Sequence, residues 1–238
     1  MRGPIALHGG GEYLAGDEPT IAALLDLIPD AGRPVRIAVV PTAAARGRPD
    51  LAGGNGVAAF RRVAAGMGRA AEAEIVPVVD AASAADPALA GRLRVADIIA
   101  FPGGDPDLIP TLLGGSAAWA AITDALDRGA VLIGASAGAM ALGPWTWTPH
   151  GGLPGLGLVP RVVVVPHVDA GSWPDIARRW GAALPPGLHA LGLAERTAVI
   201  IEPGRPWRVV GEGEVRWLPS GTPPDQPLVL GDGGEFTP

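Results

Sequence analysis

Two amino acids are missing from this chain of 238 residues, and each absence excludes a class of chemistry. Without cysteine there is no disulfide framework, no thiolate nucleophile and no Cys-ligated metal site. All 18 basic residues are arginine, so Schiff-base chemistry, a Ser–Lys dyad and a Lys-bearing phosphate loop are excluded as well. If a hydroxyl acts as a nucleophile, histidine is therefore its expected base.

The chain also lacks a block of basic residues and a long apolar run. Its formal net charge of −6 argues against a nucleic-acid partner. We find no basic-then-apolar leader and no run long enough to span a bilayer, so we expect a cytoplasmic protein without a membrane partner. No group of residues has metal-ligand spacing, and we expect neither a metal nor a cofactor. The hydrophobic fraction of 48% is typical of a folded core rather than of disorder.

Strands and helices are predicted to alternate along the chain. Nearly unbroken apolar strands predict an α/β fold: a three-layer sandwich with a mostly parallel sheet covered on both faces. The late segments 197–201, 207–210 and 214–218 are expected as strands, with hairpin pairing among them. We expect one catalytic domain over residues 1–218 and a Pro- and Gly-rich C-terminal extension over 219–238.

Other local patterns give further assignments that the structure can test. Residues 46–56 resemble a loop before a helix over 57–67, and a third strand is predicted over 75–79. Residues 145–152 are predicted as a loop, and residues 185–189 as a surface connection.

Glycine-rich or proline-containing loops follow several predicted strands, where the working groups of parallel α/β folds gather. These loops contain residues 9–11 (Gly-Gly-Gly), 41–43 (Pro-Thr-Ala), 102–105 (Pro-Gly-Gly-Asp), 134–138 (Gly-Ala-Ser-Ala-Gly) and 166–167 (Pro-His). Their common placement at strand ends predicts a single site at one edge of the sheet.

The pentapeptide at 134–138 has the pattern G-x-S-x-G between an apolar strand and a helix. Such a nucleophile elbow projects Ser136 above the sheet, and the flanking glycines accept its unusual backbone angles. The amide of Ala137 would then point at a developing oxyanion at a helix N-terminus. A strand-to-helix turn packed with small residues gives the same pattern.

Ser136 needs a base, and the chain offers His8, His150, His167 and His189. We favour His167, because it ends a strand of four valines where a rigid scaffold could fix its ring. No Asp or Glu lies between Ser136 and His167, so the acid that orients the imidazole comes from elsewhere. Candidates for this acid are Asp169, Asp175 and Glu195.

Taken in order, these motifs resemble the peptidase E family of serine peptidases, which includes aspartyl dipeptidase and cyanophycinase. The resemblance covers about residues 3–215 and includes residues 101–105 (Phe-Pro-Gly-Gly-Asp), 134–140 (Gly-Ala-Ser-Ala-Gly-Ala-Met), 165–167 (Val-Pro-His) and 192–199 (Gly-Leu-Ala-Glu-Arg-Thr-Ala-Val). It implies a flavodoxin-like fold related to class I glutamine amidotransferases.

Carried over residue by residue, the resemblance implies that Ser136 is the nucleophile, His167 the general base and Glu195 the triad acid. From the residues themselves, Asp169 stays open as the alternative acid. It also implies that oxyanion-hole amides come from the 103–105 segment together with Ala137. The residues expected in this hole are Gly103, Gly104, Asp105 and Ala137. Leu193 and Ala194 depart from the Ile-Asp pair that the family carries before this Glu.

The residues expected to contact substrate are Gly10, Gly11, Thr42 and Arg161. Because an acidic substrate side chain needs a cation, further candidates are Arg46, Arg48, Arg178 and Arg179. Tyr13 and the two tryptophans Trp145 and Trp147 could also line the substrate pocket.

Three functions remain open at this point. The first is a serine exopeptidase that acts on short peptides containing an acidic residue. The second is an α/β-hydrolase esterase, whose Ser–acid–His order would require Asp169 or Asp175 with His189. The third is a non-catalytic small-molecule-binding relative of the same fold. The sequence leaves open whether the chain forms a homodimer.

Overall fold

The predicted alternation of strands and helices produces an α/β fold with helices around a large central sheet. The computed structural model describes residues 3–148 and 150–238. Its strands are β1 (Ile5–His8), β2 (Val35–Val39), β3 (Ala71–Ile75), β4 (Ile98–Phe101), β5 (Val131–Ala135), β6 (Trp145–Thr148), β7 (Gly151–Pro154), β8 (Val162–Val165), β9 (His189–Leu193), β10 (Thr197–Ile201), β11 (Trp207–Gly211), β12 (Val215–Leu218), β13 (Leu228–Leu230) and β14 (Glu235–Phe236).

Helices connect most of these strands. They are α1 (Glu18–Asp26), α2 (Pro49–Gly66), α3 (Ala81–Ala85), α4 (Pro87–Arg94), α5 (Leu108–Leu113), α6 (Ala117–Asp127), α7 (Ala137–Leu142) and α8 (Trp173–Ala183), and a 3₁₀ turn covers Thr42–Ala44. Capping side chains define some starts: Ser116 accepts a hydrogen bond from the N–H of Trp119 at the start of α6. In the described part of the chain, no helix has the length and apolarity needed to cross a membrane.

Within the described residues, eight strands form the central sheet in the order β14-β11-β10-β1-β5-β4-β2-β3. The five strands β1, β5, β4, β2 and β3 are parallel. At the other edge β10, β11 and β14 pair antiparallel. The predicted mostly parallel sheet is confirmed, as is the antiparallel pairing of late strands.

Alternating side chains give the central sheet two buried faces. Ile5 and Leu7 of β1 join the core that contains α6 and α7, whereas Ala6 between them joins the core formed with α1 and α2. Because each face buries a continuous set of Ile, Val, Leu and Ala side chains, the strands have the unbroken apolar sequences expected for a sheet covered on both sides.

A smaller second sheet, in the order β13-β12-β9-β8, was not anticipated from the sequence. The valine strand β8 runs parallel to β9 in it. His189 is the first residue of β9 rather than part of a surface connection. This second sheet packs on the α7 side of the central sheet, and its other face packs against α8. It therefore fixes the end of β8, where His167 follows.

Three further local assignments from the sequence were wrong for identifiable reasons. Helix α2 starts at Pro49, because Gly53 and Gly56 let it approach Ile75 and Val39 closely instead of breaking it. Strand β3 lies at 71–75 rather than at the predicted 75–79. Among the described strands it pairs with β2 alone, and its alternation of Ala and Glu suits a sheet edge.

The third wrong assignment is the loop at 145–152, because β6 and β7 form an antiparallel hairpin there. Trp145 and Trp147 both lie on β6, and Trp147 packs against the main core. Residues 219–238, predicted as an extension, contribute β13 to the second sheet and β14 to the edge of the central sheet.

Candidate active site

Ser136 lies in a sharp turn between β5 and α7. Its φ is 50° and its ψ is −115°, a conformation that side-chain-bearing residues rarely adopt. The N–H of Ser136 donates to the carbonyl of His8 at 2.9 Å, which fixes the turn to the end of β1. Neighbouring structure therefore holds this strained residue in place.

The two glycines that flank Ser136 are required by close backbone approach. A Cβ at Gly134 would overlap the carbonyl oxygen of Gly138, and a Cβ at Gly138 would crowd the carbonyl oxygen of Phe101. The pattern G-x-S-x-G thus reflects the tight passage of α7 over β5 and β4.

We expect Gly134→Ala to lower the free energy of unfolding by about 1–3 kcal/mol, because backbone atoms must shift to admit the methyl group. A matched control is Gly91→Ala in α4, where a Cβ would meet no atom within 4 Å. That variant should gain about 0.5–1 kcal/mol from helix propensity. Urea denaturation of both variants measures the difference, and equal stability would contradict the close-approach explanation.

Two other predicted residues form a chain of hydrogen bonds that begins at Ser136. Ser136 Oγ lies 2.8 Å from His167 Nε2, and His167 Nδ1 lies 2.9 Å from Glu195 Oε1. About half of each of the His167 and Glu195 side chains is exposed, so the site is open to solvent. The structure thus brings Ser136, His167 and Glu195 into one hydrogen-bonded chain.

The direction of these bonds follows from the donor inventory. An ionised Glu195 only accepts, so His167 Nδ1 carries the proton and donates it to that carboxylate. In the neutral ring Nε2 is then an acceptor for the Ser136 hydroxyl. This arrangement can take a proton from Ser136 while the carboxylate stabilises the resulting imidazolium.

Three consecutive carbonyl groups at the end of β1 align the three segments. His8 O accepts the N–H of Ser136 at 2.9 Å, Gly9 O accepts the N–H of His167 at 2.8 Å, and Gly10 O accepts the N–H of Arg196, next to Glu195, at 2.7 Å. The glycine loop is therefore the scaffold of the site, a role that was not anticipated from the sequence.

Gly10 and Gly11, expected as substrate contacts, instead pack against the site residues. A Cβ on Gly10 would overlap the His167 ring, and one on Gly11 would lie 3.3 Å from Glu195. Both have positive φ values, 115° and 69°. Glycine is needed here so that the loop can turn beneath the two side chains.

A buried pair secures this glycine loop. His8 Nε2 lies 2.8 Å from Asp17 Oδ1, and both side chains are almost fully buried. The N–H of Gly10 donates to His8 Nδ1 at 3.1 Å, and the N–H of Tyr13 donates to Asp17 Oδ2 at 2.8 Å. His8 is thus a structural partner of the loop rather than a partner of Ser136.

The predicted oxyanion segment has fewer available N–H groups than expected. Gly103 donates to Glu12 Oε1 at 2.7 Å, and Asp105 donates to the carbonyl of Ala43 at 2.7 Å. Ala137 is the first residue of α7, where an N–H has no acceptor within its own helix. Among the described residues, the N–H groups of Gly104 and Ala137 have no acceptor, whereas those of Gly103 and Asp105 are already used.

Two other residues that were expected to contact substrate are not placed to do so. Thr42 is fully buried and its hydroxyl donates to the carbonyl of Val78 at 2.7 Å, so it offers nothing to a ligand. Arg161 precedes β8 whereas His167 follows it, which separates them by roughly 20 Å of extended chain. His189 also lies at the far end of that sheet, where its Nδ1 accepts the N–H of Ser220.

One cavity lies on the Gly104 side of the site, and another borders the hydrogen-bonded chain itself. One, of about 460 Å³, extends from Gly104 along α2 and is lined by Glu12, Tyr13, Arg48 and Asp105 among others. The other, of about 390 Å³, lies beside His167 and Glu195. Burial, together with the charges of Glu12 and Asp17, holds the pKa of Tyr13 well above its usual value, so its hydroxyl stays protonated.

Across the parts of the chain that the structure describes, no group of three or more His, Asp or Glu side chains is placed to hold a metal ion. Glu12 is the site-adjacent residue that was missed from the sequence. Its only sequence signal is its position directly after the glycines at 9–11.

Comparisons with known proteins identify relatives of this chain. The model of Peptidase family S51 matches residues 5–205. A peptidase from an acI-B1 Actinobacterium has a crystal structure that superimposes with a TM-score of 0.83 at 28% identity, covering 100% of this chain and 97% of that one. No curated protein matches the chain.

A second solved structure shows likeness of fold alone. It belongs to a Listeria monocytogenes EGD-e protein assigned to peptidase E, with a TM-score of 0.61 and 16% identity over 90% of this chain and 99% of that one.

Proposed function

The chain belongs to peptidase family S51 and is a serine-type peptidase, and from this premise we propose that it is an exopeptidase of the dipeptidase E type. Its substrates would be short peptides that contain an acidic residue. Hydrolysis would proceed through a Ser136–His167–Glu195 triad and an acyl-enzyme. The observation that carries this proposal is the continuous hydrogen-bonded chain of these three side chains.

In the proposed acylation step, Ser136 Oγ attacks the scissile carbonyl carbon while its proton passes to His167 Nε2. The resulting imidazolium is stabilised by Glu195 and then donates that proton to the leaving amine. A water molecule then attacks the ester carbonyl while its proton passes to His167, and His167 returns this proton to Ser136 Oγ as the acid product leaves. The turn at Ser136 serves as the nucleophile elbow.

The oxyanion of the tetrahedral intermediate would accept hydrogen bonds from the N–H groups of Gly104 and Ala137. Support comes from the other two candidates, because Gly103 and Asp105 donate to acceptors inside the protein. One such donor typically contributes about 3–4 kcal/mol of transition-state stabilisation.

For an acidic substrate side chain, Arg48 is the best placed of the candidate cations. It lines the cavity that begins at Gly104, and its side chain is exposed there. Arg46 is held by Asp107 through two hydrogen bonds of 2.8 and 2.7 Å. Arg178 pairs with Asp175 on α8. We therefore propose Arg48, rather than Arg161, as the residue that binds the carboxylate of the substrate.

The esterase alternative has less support. It requires His189 near Ser136, but the Nδ1 of His189 accepts a backbone hydrogen bond at the start of β9. A purely ligand-binding relative would not need the hydrogen-bonded chain from Ser136 through His167 to Glu195. The same proposal includes a cytoplasmic location and a short peptide as substrate. It includes no nucleic acid, membrane or cofactor as a partner, and it leaves room for a homodimer.

A dipeptide panel tests this function and the role of Arg48. We expect cleavage of peptides with an acidic residue, and we expect Arg48→Ala to reduce kcat/KM for an Asp peptide about 10- to 100-fold more than for its Asn analogue. Arg205→Ala, in the exposed turn between β10 and β11, is the control. Hydrolysis of p-nitrophenyl acetate without any peptide cleavage would favour the esterase, and silence on all substrates would favour the binding relative.

A further inference from the structure

Glu12 places a carboxylate at the edge of the site, next to Ser136. Its Oε1 accepts the N–H of Gly103 at 2.7 Å. The position that a Cβ of Gly103 would occupy lies 3.2 Å from Glu12 Oε1 and 3.6 Å from Ser136 Oγ. The carboxylate and the hydroxyl therefore border the same small space, and Glu12 also lines the cavity that contains Arg48.

No cationic side chain of the described residues lies within ion-pair distance of Glu12, in contrast to Glu195 and to Glu212, which pairs with Arg196 at 3.1 Å. A single backbone hydrogen bond leaves most acceptor positions of the carboxylate open. Glu12 thus presents a negative charge toward the reaction space.

A fixed negative charge at this point opposes the proposed chemistry unless substrate compensates it. The tetrahedral intermediate carries an oxyanion, and like charges a few ångströms apart repel each other. A cationic group of the substrate beside Glu12 removes this repulsion and orients the carbonyl group. The same carboxylate then discriminates against substrates that lack the cation.

The short distance between Glu12 and Ser136 selects which cation fits. The α-nitrogen of a peptide's first residue is separated from its carbonyl carbon by one atom, whereas the nitrogen of a lysine or arginine side chain lies several bonds further away. We infer that Glu12 binds the free α-ammonium group of the residue whose carbonyl is attacked, an assignment that rests on the proposed function. The enzyme would then remove the first residue of a peptide and require a free amino terminus.

The loop that carries Glu12 is rigid enough for this role. The N–H of Tyr13 donates to Asp17, which in turn binds His8 in the interior. Tyr13 has a φ of 67° and its ring packs on Phe60 with centroids 6.3 Å apart. The carboxylate is therefore held in place before substrate binds, as recognition of a small group requires.

A pair of substrates tests the assignment: an Asp-Leu peptide with a free amino terminus and its N-acetylated form. We expect the wild type to favour the free form, and Glu12→Gln to reduce its kcat/KM about 10- to 100-fold while changing the acetylated form little. Glutamine can still accept the N–H of Gly103, so loop structure is preserved. Glu72→Gln, an exposed carboxylate on β3, is the control and should retain the wild-type ratio.

Several outcomes would overturn the assignment. Equal rates on the two forms in the wild type would do so, as would an equal loss on both in Glu12→Gln, which indicates a structural role. An N-acetylated lysyl peptide provides a third arm, because Glu12-dependent cleavage of that substrate would show that a side-chain cation is bound instead.

Binding to Ser136→Ala keeps the assignment separate from the proposed function. Calorimetry with the same two Asp-Leu peptides needs no turnover. Tighter binding of the free form, lost when Glu12→Gln is added, supports the ammonium site even if the wild type cleaves neither peptide. Equal binding of the two forms, or no binding of either, overturns it even if hydrolysis is observed.

Discussion

Ser136→Ala is expected to lower peptide hydrolysis by at least about 10³-fold. The reason is that the proposed nucleophile is the Ser136 hydroxyl, and no other described hydroxyl is hydrogen-bonded to His167. Residual turnover would come from water attack assisted by the remaining donors. Single-turnover and steady-state assays with the best substrate of the dipeptide panel measure the loss.

This loss should not come from unfolding. Alanine also carries a Cβ, so it inherits the strained backbone at φ 50° without new overlap. We expect the melting temperature of Ser136→Ala to stay within a few degrees of the wild type. Ser220→Ala, an exposed serine on the second-sheet side, is the control and should retain full activity. Near-normal hydrolysis by Ser136→Ala would remove Ser136 from the mechanism.

It was predictable from the sequence that the loops around Ser136 lie close together, because parallel strands bring the loops that follow them to one edge of the sheet. The loops after β1, β2, β4 and β5 were each marked by glycine or proline, and His167 by its position after the valine strand. What the sequence could not show is that β8 belongs to a second sheet, since four buried valines have the same pattern in either sheet.

The hydrogen bonds within the loops could not be predicted from the sequence either. Which N–H groups remain free near Ser136 depends on the conformation of the loop after β4, where Gly103 donates to Glu12 and Asp105 to Ala43. No periodic pattern encodes such bonds. Thr42 illustrates the same limit: its place after β2 predicted contact with substrate, but its hydroxyl turns inward to Val78.

Backbone strain concentrates around the site and links fold to function. Among the described residues, five that are not glycine have positive φ: Tyr13, Ser136, Arg161, His167 and Arg196. All but Arg161 belong to the site or adjoin Glu12 or Glu195. Each such residue costs about 1–3 kcal/mol, so the surrounding fold must hold it. The carbonyls of residues 8–10 supply that restraint at Ser136, His167 and Arg196.

The identity of the triad acid is decided by two isosteric variants, Glu195→Gln and Asp169→Asn. We expect Glu195→Gln to lower kcat/KM by about 10²- to 10⁴-fold. Glutamine can donate its amide N–H to His167 Nδ1, which places the ring proton on Nε2. That nitrogen then faces Ser136 as a donor and cannot accept the hydroxyl proton. The charge that stabilises the imidazolium is lost as well.

Asp169→Asn should instead retain most activity and change stability. The carboxylate of Asp169 accepts the N–H of Ser172 at 2.7 Å just before α8. Hydrogen bonds from the backbone and hydroxyl of Ser172 hold the pKa of Asp169 below its usual value. A lowered pKa stabilises the folded chain above the pH at which the unfolded carboxyl titrates, and this contribution disappears as pH falls through the folded pKa.

Melting curves of Asp169→Asn should therefore fall below the wild type at pH 7 and approach it as the pH falls through the folded pKa of Asp169, while its kcat/KM stays within a few-fold. The two variants exchange one carboxylate oxygen for an amide nitrogen at positions that both line the cavity beside His167. Their rates thus separate a partner of the imidazole from a neighbour of it. Wild-type rates in Glu195→Gln, with a large loss in Asp169→Asn, would assign the triad acid to Asp169.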